Sequence, residues 1–261
     1  MNRIEQSFRA LNEQNRKAFI PYIMAGDGGL NILSETLSTL ETFGATLIEV
    51  GVPFSDPVAD GPTIQQAGIR SLQNGTTLRG IIAELTKARE VVSIPIVLMT
   101  YLNPIYSYGI STFAKDIAEA GVDGCIIPDL PIEEEDLLAE ELESVGIELI
   151  RLVTLTSPKD RIKEISSRGK GFLYTVTVKG ITGTRNEFDQ EVVEFLKRVK
   201  EVSPIPVVAG FGISSESQIM ELTSHCDGVI VGSKIVDLLN TNDINGLESF
   251  MSVLKPEKNI R

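Results

Sequence analysis

The chain has 261 residues, close to the ~250 typical of a (β/α)8 barrel and enough to bury a large core. Its 42% hydrophobic and 23% charged content is that of an ordinary globular protein. A formal net charge of -12, from 24 basic and 36 acidic residues, argues against a nucleic-acid or anionic-membrane surface, so any anionic ligand must be held locally.

From the N-terminus, Ile4, Phe8 and Leu11 recur at helical spacing, which predicts a helix over 3–13 lying across one end of a barrel. Ala18 to Met24 is the first strand, broken at Gly26-Asp27-Gly28-Gly29, and a helix follows from about Asn31 to Phe43. The second strand carries Leu47, Ile48 and Val50 but also Glu49, a carboxylate that is costly in a core unless paired or used. Gly51, Pro53 and Pro57 then shape a stiff loop that turns back through Asp60-Gly61-Pro62, which can bring Asp60 to face Glu49. Such a pair suits acid/base chemistry. It is equally consistent with a strand-end carboxylate bonded to a lysine and an aspartate that stabilises a turn or caps the helix beginning near Pro62.

Thr63–Leu72 and Thr77–Val91 read as helices and Pro95–Thr100 as strand three, leading into Tyr101-Leu102-Asn103-Pro104. A helix from about Ser111 to Ala120 precedes strand four, Cys125–Ile127. The charge run Glu133–Asp136 reads as the solvated first turn of a helix. Ile147–Val153 is strand five, Pro158–Ser167 a helix, and Gly171–Val176 strand six. The polar stretch from Thr177 to about Asp189 has the length of a lid or binding loop. Helix six spans about Gln190–Val202, and Pro206–Ala209 and Gly228–Val231 are strands seven and eight. Helices near Ser233–Leu239 and Ile244–Leu254 end the chain.

Eight alternating strand–helix units without a compositional break predict an α/β protein, a (β/α)8 TIM barrel with an additional N-terminal helix, as one domain over residues 1–261. Chemistry then belongs at the C-terminal strand ends, with phosphate after strands seven and eight. Gly212 and Gly232, followed by Ser233 at a helix start and joined by Gly183 in the long loop, fit such a phosphate site. Strand alternation turns Tyr174 toward the same face, and Tyr22, Met99, Tyr101, Ile126 and Leu152 come from strand ends that can line an apolar slot or simply fill a core. Cys125 and Cys226 lie in no metal-ligand spacing and His225 is alone, so no metal site is expected. The absence of an apolar signal region and of any run of ~18 apolar residues predicts a cytoplasmic protein.

The stretch Gly51-Val52-Pro53-Phe54-Ser55-Asp56-Pro57-Val58-Ala59-Asp60-Gly61-Pro62-Thr63-Ile64-Gln65 resembles the tryptophan synthase alpha subunit family. Pro128-Asp129-Leu130-Pro131, Gly180–Gly183, Gly210–Ser214 and Gly232-Ser233 match the same family, and the resemblance runs along essentially the whole chain. It implies retro-aldol cleavage of indole-3-glycerol phosphate to indole and glyceraldehyde 3-phosphate, with Glu49 as general acid/base and Asp60 holding the indole nitrogen. By the same resemblance Tyr22, Met99, Tyr101, Ile126, Leu152 and Tyr174 surround the indole end, Asp129 supports them, and Thr182 meets Asp60 when the long loop closes. Gly183, Gly212, Gly232 and Ser233 hold the phosphate. The resemblance also implies no cofactor in this chain and a beta-subunit partner carrying pyridoxal phosphate in an alpha2beta2 complex, with Pro53, Asp56 and Pro57 at or near that interface. Tyr22 departs from the phenylalanine associated with the family, and the stretch before Pro158 lacks an earlier proline often found there. A lyase active without a partner, a catalytically dead regulatory or phosphate-binding barrel and, more remotely, a different sugar-phosphate isomerase or lyase are the competing readings.

Overall fold

The structure, a computed structural model, describes residues 1–177, 190–210 and 212–255. Among the described residues nine strands form one parallel sheet: β1 (Ala18–Met24), β2 (Ile48–Gly51), β3 (Ile96–Met99), β4 (Gly124–Ile126), β5 (Glu148–Ile150), β6 (Leu152–Thr154), β7 (Leu173–Val176), β8 (Val207–Gly210) and β9 (Gly228–Val231). Their order, β5-β4-β3-β2-β1-β9-β8-β7-β6, has β5 and β6 at its two ends. Those two are separated in sequence only by Arg151, so the covalent chain carries the ring from one edge to the other. The sheet is therefore a nearly closed barrel in which the fifth expected strand, Ile147–Val153, is split.

Arg151 sits at the split, where the first half pairs with β4 and the second with β7. The Arg151 guanidinium reaches Glu135 at 2.7 Å and donates to the carbonyl of Arg168 at 2.7 Å, while its own carbonyl accepts the Tyr174 N–H at 3.0 Å. Glu135 also takes a bond from Arg168 at 3.0 Å. This corrects the solvated reading of the Glu133–Asp136 run at one residue: Glu133, Glu134 and Asp136 are exposed, whereas Glu135 is buried within a short 3-10 helix, Ile132–Leu137. Burial pushes its carboxyl up, but the hydrogen bonds from Arg151 and Arg168 outweigh that and hold it below the ordinary range. A buried carboxylate persists only when so paired.

Strand alternation sorts side chains into two cores. Outward residues such as Phe19, Ile48, Val50, Leu98 and Leu173 pack under the surrounding helices, whereas Ile20, Leu47, Val97, Phe172, Val208 and Ile230 fill the barrel. Glu49 lies between outward Ile48 and Val50, so the pleat that buries those two aims it inward with Leu47.

The N-terminal helix, Arg3–Glu13, starts in a capping box between Asn2 and Glu5. Its Ile4 and Phe8 are buried in the barrel interior, and Phe8 packs on Phe172 with ring centroids 5.6 Å apart. Arg3 bonds Asp123 at 2.8 Å, and Ile4 lies against Gly124 and Gly171 at the strand starts. The helix therefore seals the N-terminal end of the barrel, leaving the C-terminal strand ends for a site.

Candidate active site

The loop after β2 folds back as its prolines and glycine require. Asp60 N–H donates to the Pro57 carbonyl at 3.1 Å, and Gln65 donates to the Asp60 carbonyl at 2.9 Å. Gly61 and Pro62 then open the helix Pro62–Gln73. That helix is anchored at its far end by a two-pronged bond from Arg70 to Asp27, both contacts 2.7 Å. Ser71 and Asn74 of this anchored end also donate to the carbonyls of Ala25 and Gly26 in the turn after β1.

The loop brings Asp60 within electrostatic reach of Glu49. Glu49 is 1% exposed, and neither of its oxygens has a hydrogen-bond partner among the described residues. Burial first, and the charge of Asp60 second, push its carboxyl up to about 8. Asp60 is also buried, which raises it to about 6 against the lowering effect of a hydrogen bond from Tyr101. At neutral pH the first is a carboxylic acid with a proton to give, and the second is mostly a carboxylate able to accept an N–H.

Two tyrosines frame these groups. A methyl at Gly51 would overlap the Tyr22 hydroxyl, and a methyl at Gly210 would overlap that of Tyr174. Each glycine thus leaves room for a phenol from the preceding strand. Burial, with the charges of Asp60 and Glu49 behind it, raises both phenols well above their ordinary value, so they stay neutral.

Glu49, Asp60, Tyr22, Met99, Leu152 and Tyr174 line one cavity of about 600 Å³, a size suited to a small-molecule ligand. Gly212, Gly232 and Ser233 line the same cavity. The positive φ of Gly212, 76°, belongs to the turn after β8, and Ser233 opens the helix Ser233–Asn240. The acid group and the glycine-rich strand ends therefore share one mouth.

Other expected residues sit elsewhere. Tyr101 is behind Asp60: its hydroxyl accepts the Ala59 N–H at 3.0 Å, bonds Asp60, and its ring packs on Phe54 at 5.2 Å. Ile126 is fully buried in the barrel interior away from the cavity wall. Asp129 is exposed and accepts the Leu102 N–H at 3.0 Å, holding the start of a short helix, Leu102–Tyr108, in a stretch to which the sequence assigned no element. On the Asp60 loop, Asp56 is exposed and Pro57 partly so, whereas Pro53 is buried and supports the loop from within. Thr182 and Gly183 lie outside the described residues.

The cavity also has walls that sequence reasoning passed over. Thr154 and Val176 follow Leu152 and Tyr174 by two residues on the same strands, so alternation alone could have found them. Lys234 directly follows Ser233, and Ser214, the end of the Gly210–Ser214 stretch already noted, lines the cavity as well.

With this geometry in hand, comparison with known proteins is decisive. The profile of the family described as tryptophan synthase alpha chain matches residues 8–258. The chain belongs to the tryptophan synthase alpha chain family. A tryptophan synthase alpha chain from Bacillus thuringiensis subsp. konkukian is 50% identical over 253 residues, 97% of this chain and 98% of the relative. One from Bacillus mycoides is 55% identical over 227 residues, covering 87% and 88%. Among solved structures, one from Aquifex aeolicus VF5 superposes with a TM-score of 0.90 at 34% identity, covering 98% of each chain. A tryptophan synthase from M. tuberculosis in its aminoacrylate-bound form gives a TM-score of 0.86 at 33% identity, over 97% of this chain and 98% of that one.

Proposed function

We infer that the chain is the indole-releasing lyase of tryptophan synthase, cleaving indole-3-glycerol phosphate to indole and glyceraldehyde 3-phosphate in tryptophan biosynthesis. The observation that carries the residue assignment is a buried carboxyl, Glu49, unpartnered among the described residues and sharing a cavity with an ionised Asp60 and a glycine-rich strand end. Cleavage requires a proton at indole C3, so that the ring becomes an electron sink, and loss of a proton from the C3′ hydroxyl. Glu49 gives the first and takes the second, so the acid is regenerated and protons balance. Asp60 accepts the indole N–H bond as the ring nitrogen becomes cationic, with most effect where water is excluded. Tyr22, Met99, Leu152 and Tyr174 hold the ring, with Tyr101, Ile126 and Asp129 supporting them. Backbone amides at Gly212, Gly232 and Ser233 hold the phosphate end, with Gly183 assigned to the same role and Thr182 to contact with Asp60 by the family resemblance.

The family membership supports partnership with a beta subunit. We assign that complex an alpha2beta2 stoichiometry, with pyridoxal phosphate in the beta subunit and none in this chain. Asp56 and Pro57 face the partner, and Pro53 stiffens the loop beneath them. The chain forms one barrel domain and works in the cytoplasm; among the described residues no helix is long and apolar enough to cross a membrane. The test is indole release from indole-3-glycerol phosphate by the full chain, with and without the beta subunit. Indole equimolar with glyceraldehyde 3-phosphate, formed faster with the partner, is expected. No indole under either condition overturns the assignment.

A further inference from the structure

The cavity gathers three carboxyl groups, Glu49, Asp60 and Asp237, and among its described lining residues one cation, Lys234. A phosphate dianion entering this cavity meets like charges, in a chain of net charge -12. A helix N-terminus offers only roughly half a unit of positive charge against it. The ammonium of Lys234 is a full charge, and it has no carboxylate partner among the described residues. Asp237, one turn further along the same helix, is instead a neighbour of Arg70, whose guanidinium it raises together with the directly bonded Asp27. Lys234 is the second residue of the helix Ser233–Asn240. Helical side chains lean back toward the N-terminus, which for Lys234 means toward the amides of Gly232 and Ser233.

We propose that Lys234 is a phosphate-binding residue of this enzyme, its ammonium completing a site otherwise built from backbone amides and one hydroxyl. The inference rests on the reading of the cavity given above. It makes the affinity for the phosphate tail, not for the indole ring, depend on this side chain and on ionic strength.

The test uses the full chain with its beta subunit, comparing wild type, Lys234→Gln and Lys234→Arg. In the glutamine variant KM for indole-3-glycerol phosphate rises about three- to tenfold, the range of a partly solvated charge contact, with kcat within about twofold. In the reverse condensation KM for glyceraldehyde 3-phosphate rises by a similar factor and KM for indole stays put. Arginine restores both, and added salt weakens substrate binding more in wild type than in the glutamine variant. An unchanged KM for both phosphate compounds in Lys234→Gln overturns the proposal, as does an equal loss for indole, which marks a packing role. A wild-type enzyme that releases no indole fails the reading of the cavity itself, and this proposal falls with it.

Discussion

At the level of single residues, the separation of Glu49 near 8 from Asp60 near 6 sets the pH range of the chemistry. Cleavage needs the first protonated and the second ionised, so kcat/KM should rise as pH climbs through about 6 and fall beyond about 8, the two limbs belonging to the pair. Asp60→Asn should remove the acid limb while slowing the reaction. A wild-type profile flat from about pH 5 to 9 contradicts the assignment. The same burial weakens the fold. A glutamate in the unfolded chain titrates near ~4.3, so between there and 8 the native state holds the Glu49 proton more tightly than the unfolded state does. The stability from that proton is fully present below the unfolded value and is lost as pH rises toward 8. Glu49→Gln escapes the loss. Its Tm should match wild type near pH 4 and exceed it by several degrees near pH 8, whereas a gap independent of pH argues for a different origin.

At the level of elements, the N-terminal helix and the Asp60 loop occupy opposite ends of the barrel. Phe8 fills the sealed end against Phe172, so Phe8→Ala should cost about 3–5 kcal/mol of unfolding free energy while leaving kcat near wild type at temperatures where the variant is folded. Denaturant titration with a parallel assay checks both; intact stability, or lost kcat with intact stability, contradicts this division of labour. That helix was legible because Ile4, Phe8 and Leu11 repeat on one face, a purely local signal. The break of the fifth strand was not: its first half pairs with β4 and its second with β7, and the partners of the Arg151 side chain between them, Glu135 and Arg168, are brought near only by the folded chain. The exposed look of the Glu133–Asp136 run holds for three of its residues and misled at Glu135 for the same reason, since that carboxylate is paired with cations distant in sequence. Tyr101 read as a pocket wall from its strand-end position, but the returning loop inserts Asp60 in front of it.

At the level of the whole molecule, a parallel barrel puts every strand's C-terminal end at one mouth, which is why Glu49 on β2 and the glycines after β8 and β9 share a cavity although they lie far apart in sequence. The eight strand–helix units made the barrel, and hence the location of the site, readable from hydrophobic periodicity. Which strand-end residues reach the cavity was less so, since alternation gives the face but not the depth: Ile126 and Met99 pair in register, yet only Met99 lines the wall. Lys234 carried no meaning in the sequence until the cavity placed it among carboxyl groups. The central claim is that one buried carboxyl moves both protons, and single-turnover cleavage of indole-3-glycerol phosphate by Glu49→Gln in complex with the beta subunit tests it most directly. The expected result is a rate lower by at least about 10²–10⁴ with substrate affinity retained; a rate within a few-fold of wild type would contradict it.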